Sequence, residues 1–571
     1  MRTKTESDIL GLILKHFPLS KDIKLEHPAD PQYGDFSTNM AMVMAKDNKE
    51  NPRSVAQDIK TKLLSDIKIN EGDFIEKIEI AGPGFINFYL HKNYLLKQAI
   101  DYNFDLEFHE KMATYGQGKT MVIDYSAPNI AKPFGIGHLR STNIGQAVYN
   151  LYKLLGWKTI GDNHLGDWGT QFGKLIVAIK KWGDKPVLEM TIADLERLYV
   201  KFHSEAEDDE SLNEEGRAWF ARLENGDKEA RALWHDCVTI SLQEFDRVYQ
   251  LLGVKIDYTH GESFYETMLP DVINELKAKK IAHESQGALI VEFPSMPPAM
   301  IEKSNQTTTY FTRDLATIKY RRENWHPDLV IYEVGADQQL HFQQLFATAA
   351  LLGWQPTEGF VHIAHGLIRW KTGKFSTRKG DTIHLSDVVE KAMEQAVKIS
   401  ERTAVGKDLT KSEQKVMIEA VAIGAIKFSD LSSDPHKDII FDWEQIMSLE
   451  GDSGPYLQYA YARCKSVLAK SKIKETKDVE YISDPLTAEE LKLLRTFYLF
   501  EEKIVNAAES FNPSILANYL IDLARIYNEF YAKNKIIGTE HEILRIFLTQ
   551  TTASILHTGL TLLGIKTVEK M

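Results

Sequence analysis

Residues 126–142, SAPNIAKPFGIGHLRST, combine turn-forming residues with a histidine at the predicted start of a helix. Pro133, Gly135 and Gly137 let the backbone turn tightly, and His138 falls where the helix begins. A helix N-terminus offers unpaired N–H groups and a positive dipole end, which suit a phosphate. Gly137 admits a base or ribose close to the backbone, and His138 can donate to phosphate oxygens as charge develops on them. The segment is a candidate nucleotide site, and the alternative is an ordinary turn.

The segment KTGKFSTRKG, residues 371–380, is strongly basic and contains no acid. Its cations are Lys371, Lys374, Arg378 and Lys379, which stand among hydroxyl residues and glycines. Clustered cations on a glycine-containing loop can close over a polyphosphate and neutralise a departing pyrophosphate. A solvated basic loop without a ligand is the alternative, and the segment alone does not decide between the two.

A set of polar residues from three parts of the chain has the chemistry to bind a planar cation. Asp124 follows an apolar run at the end of a predicted strand, where ligands gather in parallel α/β folds. Asp314 lies one helical turn after Tyr310, so the two side chains can share a helix face. Carboxylates beside an aromatic ring suit a guanidinium. The alternative is that the aspartates cap helices or pair with Arg313 or Arg321. The full set is Asp124, Asn129, Tyr310, Asp314 and Gln338.

Short β-rich runs position these residues. MVIDYSA (121–127) and WKTIGDNH (157–164) flank a helix predicted from His138 to about Leu155. Strand, glycine-containing loop, helix and strand make the repeating unit of a parallel nucleotide-binding sheet. Three later runs are predicted in the same sheet, namely GALIVEF (287–293), DLVIYEV (328–334) and FVHIAHG (360–366).

The segment GDNHLGDWGTQFGKL (161–175) reads as a loop packed on or near the site. Its glycines and aspartates are typical of a loop. We expect Trp168 to be structural rather than to stack on a ligand.

The rest of the chain divides into helical and mixed regions. Residues 1 to about 115 read as a small α+β unit with a hairpin around the GPG at 82–84. Residues about 180–285 are mostly helical and highly charged. From Leu385 the pattern is helical nearly to the end, and breakers around 451–455 mark the start of an all-helical domain.

Composition narrows the class of protein. The chain has 571 residues, which predicts about three or four domains, and a net charge of −13, which does not exclude a local basic patch for nucleic acid. Cys237 and Cys464 are far apart and are predicted to be buried thiols, which excludes a disulfide framework and a thiolate zinc site. The apolar stretch Ile9–Leu14 is too short for a signal peptide and no run is long enough to span a membrane, so we expect a cytosolic protein.

Together the motifs resemble class I aminoacyl-tRNA synthetases, and specifically the arginyl-tRNA synthetase family. The resemblance rests on NIAKPFGIGHLRST, HLGDWGTQFG, TTYFTRD, VGADQQLHFQQLF (334–346), GKFSTRKG and the long segment 425–463. YGDFSTNMAMVMAK (33–46) is similar to the added N-terminal domain of that family. The motifs occur in the family's order, and the resemblance covers essentially the whole chain.

The resemblance implies a multidomain α/β protein with a Rossmann-like catalytic domain at 116–390, which carries a helical insertion at about 180–285. Residues 1–115 correspond to the N-terminal domain, which should contact the tRNA elbow. Residues 391–449 form a helical connector, and residues 450–571 form the helical anticodon-binding domain. The implied activity is arginine–tRNA ligation: arginine and ATP give arginyl-adenylate and pyrophosphate, and arginine then passes to the terminal adenosine of tRNA(Arg).

Both signatures of the class depart from the family pattern here. The first histidine of His-Ile-Gly-His is Gly135, so His138 and the helix end act without it. In the second signature Lys374 and Ser376 are present, but the second lysine is Thr377, and Arg378 or Lys379 are candidates to replace its charge. The implied catalytic residues are His138, Lys374, Ser376, Arg378 and Lys379. The implied ATP-binding residues are Pro128, Lys132, Gly135, Gly137, His138 and Lys374.

The resemblance also assigns the two other substrates. Asp314 and Tyr310 suit the guanidinium, with Asp124 assisting, and Asn129 and Gln338 suit the α-amino and carboxylate ends. Lysine is rejected because its ammonium does not satisfy a planar, bidentate site. Tyr456, Tyr459, Tyr527 and Tyr531 are candidates to stack on anticodon bases, although aromatic residues at helical spacing are usually core. Arg321 and Arg322 are candidate phosphate contacts.

ATP is expected to act with Mg²⁺, with no tightly bound cofactor or structural metal, no obligate protein partner, no membrane and a monomeric state. Three alternatives are weighed, of which a paralogue that charges a different amino acid is disfavoured by Tyr310 and Asp314. A small nucleotidyltransferase shares the Gly-x-Gly-His loop but is much shorter. A non-catalytic protein that only binds tRNA is suggested by Gly135 and Thr377, although it needs neither His138 nor an amino-acid pocket.

Overall fold

The computed structural model describes residues 2–18, 23–28, 30–66, 74–102, 105–355, 357–370, 384–402, 409–473, 476 and 485–571. Its strands are β1 (Phe36–Thr38), β2 (Ile75–Ala81), β3 (Phe85–Leu90), β4 (Thr120–Asp124), β5 (Lys158–Asn163), β6 (Tyr258–Thr259), β7 (Ala282–Ser285), β8 (Ala288–Val291), β9 (Ala299–Glu302), β10 (Leu329–Gly335), β11 (Phe360–His365), β12 (Ile368–Trp370) and β13 (Ile439–Phe441).

The α-helices of the described ranges are α1 (Lys4–His16), α2 (Met40–Asn48), α3 (Pro52–Asp66), α4 (Lys92–Asp101), α5 (Asp105–Ala113), α6 (Ile136–Leu154), α7 (Thr170–Trp182), α8 (Ile192–Asp208), α9 (Ser211–Glu224), α10 (Lys228–Leu252), α11 (Leu269–Ala278), α12 (Tyr310–Trp325), α13 (Gln339–Leu351), α14 (Leu385–Arg402), α15 (Lys411–Leu431), α16 (Trp443–Ile446), α17 (Gly454–Lys470), α18 (Ala488–Phe497), α19 (Phe500–Glu509), α20 (Ser514–Lys533) and α21 (Glu542–Leu562).

The N-terminal region is built on an antiparallel sheet in the order β1-β3-β2. The predicted hairpin is confirmed, with Ala81 opposite Phe85 across the turn at 82–84. Gly82 has φ 52° and Gly84 has φ 139°, a backbone region that favours glycine and explains its place in this turn. Helices α2 and α3 pack on this unit and help to enclose its apolar core.

The central part of the chain contains a five-stranded sheet in the order β11-β10-β4-β5-β6, and every neighbouring pair is parallel. Numbered within the sheet, this is the doubly wound order 3-2-1-4-5 of Rossmann-like folds. The expected fold class is therefore confirmed. The strand order reverses between β4 and β10, so their carboxyl ends at Asp124 and Gly335 border the crevice in which such sheets bind ligands.

The prediction that GALIVEF (287–293) joins the parallel sheet is wrong. Its strand β8 pairs antiparallel with β7 and β9 in a separate three-stranded sheet. Gln286 and Gly287, both with positive φ, form a two-residue turn that returns the chain directly from β7. A short apolar run has the same appearance in a buried parallel strand and in a hairpin strand, so the run alone was misleading.

Residues 180–285 are largely helical, as expected, and α7 to α10 pack against one another there. The acidic stretch at 204–216 belongs mostly to helices, with only Asp209 and Glu210 between α8 and α9. Within the described ranges, no helix combines the length and the apolar character that crossing a bilayer demands.

The C-terminal third is helical, as predicted, and a buried ion pair joins α15 to α6 of the parallel-sheet region. Arg140 on α6 lies 2.9 Å from Asp430 on α15, and both side chains are buried. The same guanidinium donates to the carbonyls of Gly366 and Lys437. Helix α6, which begins at the glycine-histidine motif, is thus fixed to α15. Both cysteines are buried thiols, as expected.

Candidate functional site

The loop between β4 and α6 is held in an unusual backbone conformation. Ser126, Ala127 and Ala131 have φ of 75°, 40° and 61°, which are uncommon for residues other than glycine. Each of their N–H groups donates to a side chain of another element, namely Ser141 Oγ, Asn163 Oδ1 and Ser241 Oγ. Strain of this kind persists only where the surroundings determine it, and it concentrates at ligand sites. The loop is therefore preformed rather than an ordinary turn.

His138 lies in the first turn of α6, and its ring is oriented by the loop before it. Its Nδ1 accepts the Gly135 N–H at 3.3 Å, so Nδ1 is the unprotonated nitrogen and Nε2 carries the hydrogen. Burial, reinforced by the charge of Lys132, lowers the pKa of His138 to about 4. At neutral pH the ring is therefore an uncharged donor that presents its Nε2–H at the helix N-terminus.

The other predicted ATP-site residues surround that helix end in part. Pro128 and Gly135 are buried in the loop, whereas Lys132 and Gly137 are exposed. A Cβ added at Gly137 would meet nothing within 4 Å, so this side of the helix end is open to a ligand. The predicted residues Lys374, Ser376, Arg378 and Lys379 lie outside the described residues, as does the rest of 371–383.

Asp124 is not available to a ligand in the way the sequence suggested. Its Oδ2 accepts a hydrogen bond from Arg321 Nη2 at 2.7 Å, and Arg321 Nε donates to Asp162 at 2.9 Å. Arg321 is completely buried, so its assignment as a phosphate contact is wrong. The alternative in which an aspartate pairs with Arg321 is correct for Asp124. Its carboxylate belongs to a buried ion network beneath the site rather than to its surface.

Asp162 is the second acid of this network. His260 Nδ1 lies 3.0 Å from its carboxylate, opposite the bond from Arg321. Burial opposes its ionisation, but Arg321 and the His260 bond together keep the pKa of Asp162 below its usual value. The network is therefore one cation held between two carboxylates.

Asp314 and Tyr310 do share a face of α12 at the carboxyl edge of the sheet. His341 Nε2 lies 2.7 Å from Asp314 Oδ2, and the rings of Tyr310 and His341 are 5.0 Å apart. His164 Nε2 lies 3.5 Å from Asp314 Oδ1. Tyr310 is 60% exposed, and the Asp314 side chain keeps 21% exposure. A carboxylate between two histidines, beside an accessible aromatic ring, is an arrangement suited to a planar cation.

Asn129 and Gln338 lie on loops at the same edge of the sheet. Asn129 is exposed and forms an isolated parallel β-bridge with Gly166. Its amide oxygen packs so closely against Gly166 that a Cβ at that position would lie 2.5 Å from it. Gln338 is half-buried in the turn after β10 and donates to Asp337 at 3.2 Å. Both amides therefore flank the crevice between β4 and β10.

A groove of about 1530 Å³ opens beside Tyr310 and His341. It runs between α9, α11, β9 and the start of α12. Its lining mixes amides, hydroxyls and charged side chains, among them Arg217, Lys277 and Lys303. The groove is much larger than an amino acid requires and leads away from Asp314 toward the helical insertion.

Four residues near the site escaped prediction: His164, His341, Glu262 and Asp162. Glu262 is half-buried beside His164 and Asp314, and burial raises its pKa to about 7. His164 and His341 stand in segments that were singled out for their composition, but nothing in their spacing linked either residue to Asp314. Trp168 is buried against Phe220 and Trp234, as expected of a structural residue.

The predicted base-stacking tyrosines differ in exposure. Tyr527 is completely buried in the core of the C-terminal region, so its assignment to base stacking is wrong. Tyr531 is 44% exposed, and the Arg463 guanidinium lies 5.2 Å from its ring and 4.9 Å from that of Tyr459. These three residues line a pocket of about 980 Å³ that also contains Lys465, Lys470, Lys535 and Lys570. Tyr456 is half-buried and its hydroxyl accepts from Asn528 at 2.9 Å.

Comparison with known families divides the chain into three matches. The model described as "tRNA synthetases class I (R), catalytic domain" matches residues 106–443. "Arginyl tRNA synthetase N terminal domain" matches residues 7–90, and "DALR anticodon binding domain" matches residues 457–571.

Curated relatives match over nearly the whole chain. The arginine–tRNA ligase of Halothermothrix orenii is 40% identical over 554 residues, covering 96% of this chain and 95% of the relative. That of Clostridium botulinum is 38% identical over 575 residues, covering 99% of this chain and 100% of the relative. Among solved structures, arginyl-tRNA synthetase from Plasmodium falciparum has a TM-score of 0.80 at 25% identity, covering 100% of this chain and 98% of that one. The Thermus thermophilus arginyl-tRNA synthetase has a TM-score of 0.83 at 23% identity over both full chains, which supports the fold.

Proposed function

Since this chain belongs to the arginyl-tRNA synthetase family and is an arginine–tRNA ligase, we propose that the crevice between β4 and β10 carries its reaction, with Asp314 as the arginine-recognising carboxylate. The ligase activates arginine with ATP and transfers it to tRNA. The observation that carries the proposal is the contrast between two predicted acids. Asp124 is neutralised by Arg321 beneath the site, whereas Asp314 stands at its surface beside Tyr310.

Activation needs positioning more than covalent help from the protein. The carboxylate of arginine attacks the α-phosphorus of ATP, the bond to the β-phosphate oxygen breaks, and pyrophosphate leaves. Charge accumulates on the phosphate oxygens during this displacement, so donors aimed at those oxygens accelerate it. His138 supplies one such donor through Nε2–H, together with the N-terminus of α6. Because the ring is neutral, it donates without exchanging a proton with the substrate.

The remaining ATP contacts follow from the open helix end. Gly137 admits the nucleotide close to the backbone, Pro128 and Gly135 shape the loop, and Lys132 adds a positive charge. Lys374 is assigned to pyrophosphate, with Ser376 and with Arg378 or Lys379 in place of the missing lysine. Mg²⁺ bound to ATP would neutralise part of the phosphate charge, as it does when ATP phosphates and carboxylates bind it in proteins.

The substrate arginine lies between Asp314 and Tyr310 at one end and the two amides at the other. Its guanidinium pairs with Asp314 and faces the Tyr310 ring, and Asn129 and Gln338 bind the α-amino and carboxylate ends. Asp124 takes part indirectly, by fixing Arg321 and the backbone N–H of His164, which lies 3.4 Å from its Oδ1. Lysine lacks the planar edge that this site is built to accept.

For tRNA, we assign base stacking to Tyr459 and Tyr531, with Tyr456 behind them as a support. Arg463 lies against the exposed ring of Tyr531 and the half-buried ring of Tyr459, and the lysines of the same pocket supply charge for the backbone. Arg322 remains a candidate phosphate contact.

We also propose a division into domains at 1–115, 116–390, 391–449 and 450–571, in which the first domain binds the tRNA elbow. A monomeric state and a cytoplasmic location are proposed as well. The family resemblance supports them, and sedimentation of the purified enzyme tests the monomer.

Arginine-dependent ATP–pyrophosphate exchange in the presence of tRNA tests the arginine site. Asp314→Asn removes one charged acceptor, so we expect the KM for arginine to rise about 10- to 150-fold, with kcat within a few-fold of the wild type. Glu323→Gln, an exposed residue on the same helix, is the matched control and leaves both constants unchanged. An unchanged arginine KM in Asp314→Asn contradicts the proposed site.

A further inference from the structure

The ring of His164 is anchored on one side by a backbone carbonyl. Its Nδ1 lies 3.1 Å from the carbonyl oxygen of His260. A carbonyl oxygen only accepts hydrogen bonds, so Nδ1 must carry the hydrogen. The ring also packs 5.5 Å from that of Tyr265, and the side chain is only 14% exposed. The anchor therefore fixes both the position of the ring and its tautomer.

The opposite nitrogen of His164 faces the carboxylate of Asp314. In the neutral ring Nε2 has no hydrogen, and it lies 3.5 Å from Asp314 Oδ1. The other oxygen of that carboxylate is already held by His341 at 2.7 Å. In this neutral form the Nε2 lone pair and Oδ1 are two acceptors side by side, whereas a protonated ring donates from Nε2 to Oδ1. A ligand that donates more than one N–H satisfies both acceptors of the neutral form.

We propose that His164 determines specificity for the substrate: its Nε2 accepts one N–H of the guanidinium while Asp314 Oδ1 accepts a neighbouring one. The inference rests on the proposed role of Asp314. The edge of a guanidinium carries parallel N–H groups and fits two adjacent acceptors, which matches this pair. His341 then has a different task, since it holds the far oxygen and orients the carboxylate.

The surroundings of His164 favour the same ligand. The carboxyl groups near its ring belong to Asp124 on β4, Asp167 on its own loop, Glu262 on the segment after β6 and Asp314 on α12. Three of them have internal partners: Asp124 is paired with Arg321, Asp167 accepts from Ser263 N–H and Oγ–H, and Asp314 is held through Oδ2 by His341. Asp314 Oδ1 attracts a cation to this side of the ring, whereas Glu262, with a pKa that burial raises to about 7, is only partly ionised at neutral pH.

Two substitutions distinguish the role of Nδ1 of His164 as a donor from that of Nε2 as an acceptor. His164→Asn keeps an N–H donor at the position of Nδ1 for the His260 carbonyl and removes Nε2. His164→Gln extends an amide oxygen toward the position of Nε2 and restores an acceptor. We measure kcat and the KM values for arginine and ATP by pyrophosphate exchange with tRNA present, and the melting temperature of each variant.

We expect His164→Asn to raise the arginine KM about tenfold while the ATP KM and kcat stay within twofold, since one hydrogen bond to a charged group is lost. His164→Gln should return the arginine KM to within about threefold of the wild type. An arginine KM within twofold of the wild type in His164→Asn overturns the inference. So does an equal rise of both KM values in the two variants, which indicates a structural role.

The tautomer is checked in the unmodified enzyme by ¹⁵N-histidine NMR, with His164→Asn used to assign the signal. With arginine bound, we expect Nδ1 protonated and Nε2 shifted as an acceptor; a protonated Nε2 contradicts the inference. Asp314→Asn distinguishes a failure of the proposed arginine site from a failure of the role of His164 alone. If that variant is impaired and His164→Asn is normal, only the role of His164 fails, whereas a normal Asp314→Asn removes the proposed site itself.

Discussion

Replacing Arg321 with methionine tests the buried ion network beneath the site. Arg321 is 0% exposed and lies 2.7 Å from Asp124 and 2.9 Å from Asp162. Methionine fills much of the volume of the side chain but leaves both carboxylates buried without their cation. Removing one partner of a buried ion pair typically costs about 3–5 kcal/mol. We therefore expect the catalytic region to lose stability far beyond the effect of an ordinary surface substitution.

The loss is measured as a shift in the melting temperature of the catalytic region by calorimetry. At about 2–4 °C per kcal/mol for a domain of 150–250 residues, the expected decrease is about 6–20 °C. Arg322→Met is the matched control, because Arg322 is the next residue on the same helix and is only half-buried; its melting temperature should change by less than 2 °C, on the order of a surface substitution.

The double variant Arg321→Met, Asp162→Asn adds a sharper test. Asparagine removes one of the two stranded charges, so part of the lost stability should return, because the two sites share one network. If Arg321→Met melts within 2 °C of the wild type, the two carboxylates do not depend on this cation and the correction of Asp124 from ligand to support is wrong.

The other predictions concern the phosphate and nucleic-acid sites. His138→Ala should lower kcat about 10²- to 10³-fold with little change in the KM for arginine, because one hydrogen-bond donor to the phosphate oxygens is lost. His138→Gln should recover part of the rate through its amide N–H. Because burial lowers the pKa of His138 to about 4, the ring stays neutral as the pH falls from 8 to 5.5. The kcat of the wild type should therefore show no loss attributable to this residue in that range. A step in kcat near pH 6.5 that disappears in His138→Gln contradicts the assignment. Tyr531→Ala should weaken tRNA binding about 5- to 150-fold at constant salt without changing melting temperature, since each stacked base is worth about 1–3 kcal/mol. Tyr527→Ala should instead cost about 3–5 kcal/mol of stability as a core truncation, and equal effects of the two substitutions on tRNA binding contradict the distinction.

Local sequence patterns were sufficient for most of the architecture. The hairpin at 82–84, the unit of β4, α6 and β5, and the helical C-terminal third all follow from periodicity and turn residues within a few positions of one another. The failure at GALIVEF has the same origin. Its apolar pattern is local, but the choice of sheet depends on the turn at Gln286 and Gly287, whose positive φ values direct the chain into a hairpin.

The site was harder to predict because its important contacts cross long stretches of sequence. Asp124 and Arg321 are separated by 197 positions, and no spacing rule relates them. Asp314 and His341 are 27 positions apart on two different helices, so their pairing depends on how α12 and α13 pack. Tyr531 and Tyr527 lie one turn apart in a single helix, and only the packing of the bundle decides which of them reaches solvent.

A crystal structure of the enzyme with arginine and a non-hydrolysable ATP analogue tests the central claim most directly. The account predicts the guanidinium against Asp314 and the Nε2 of His164, the α-phosphate within hydrogen-bond distance of His138 Nε2, and Asp124 still paired with Arg321. A guanidinium bound to Asp124 in place of Arg321, or a phosphate away from the N-terminus of α6, contradicts it.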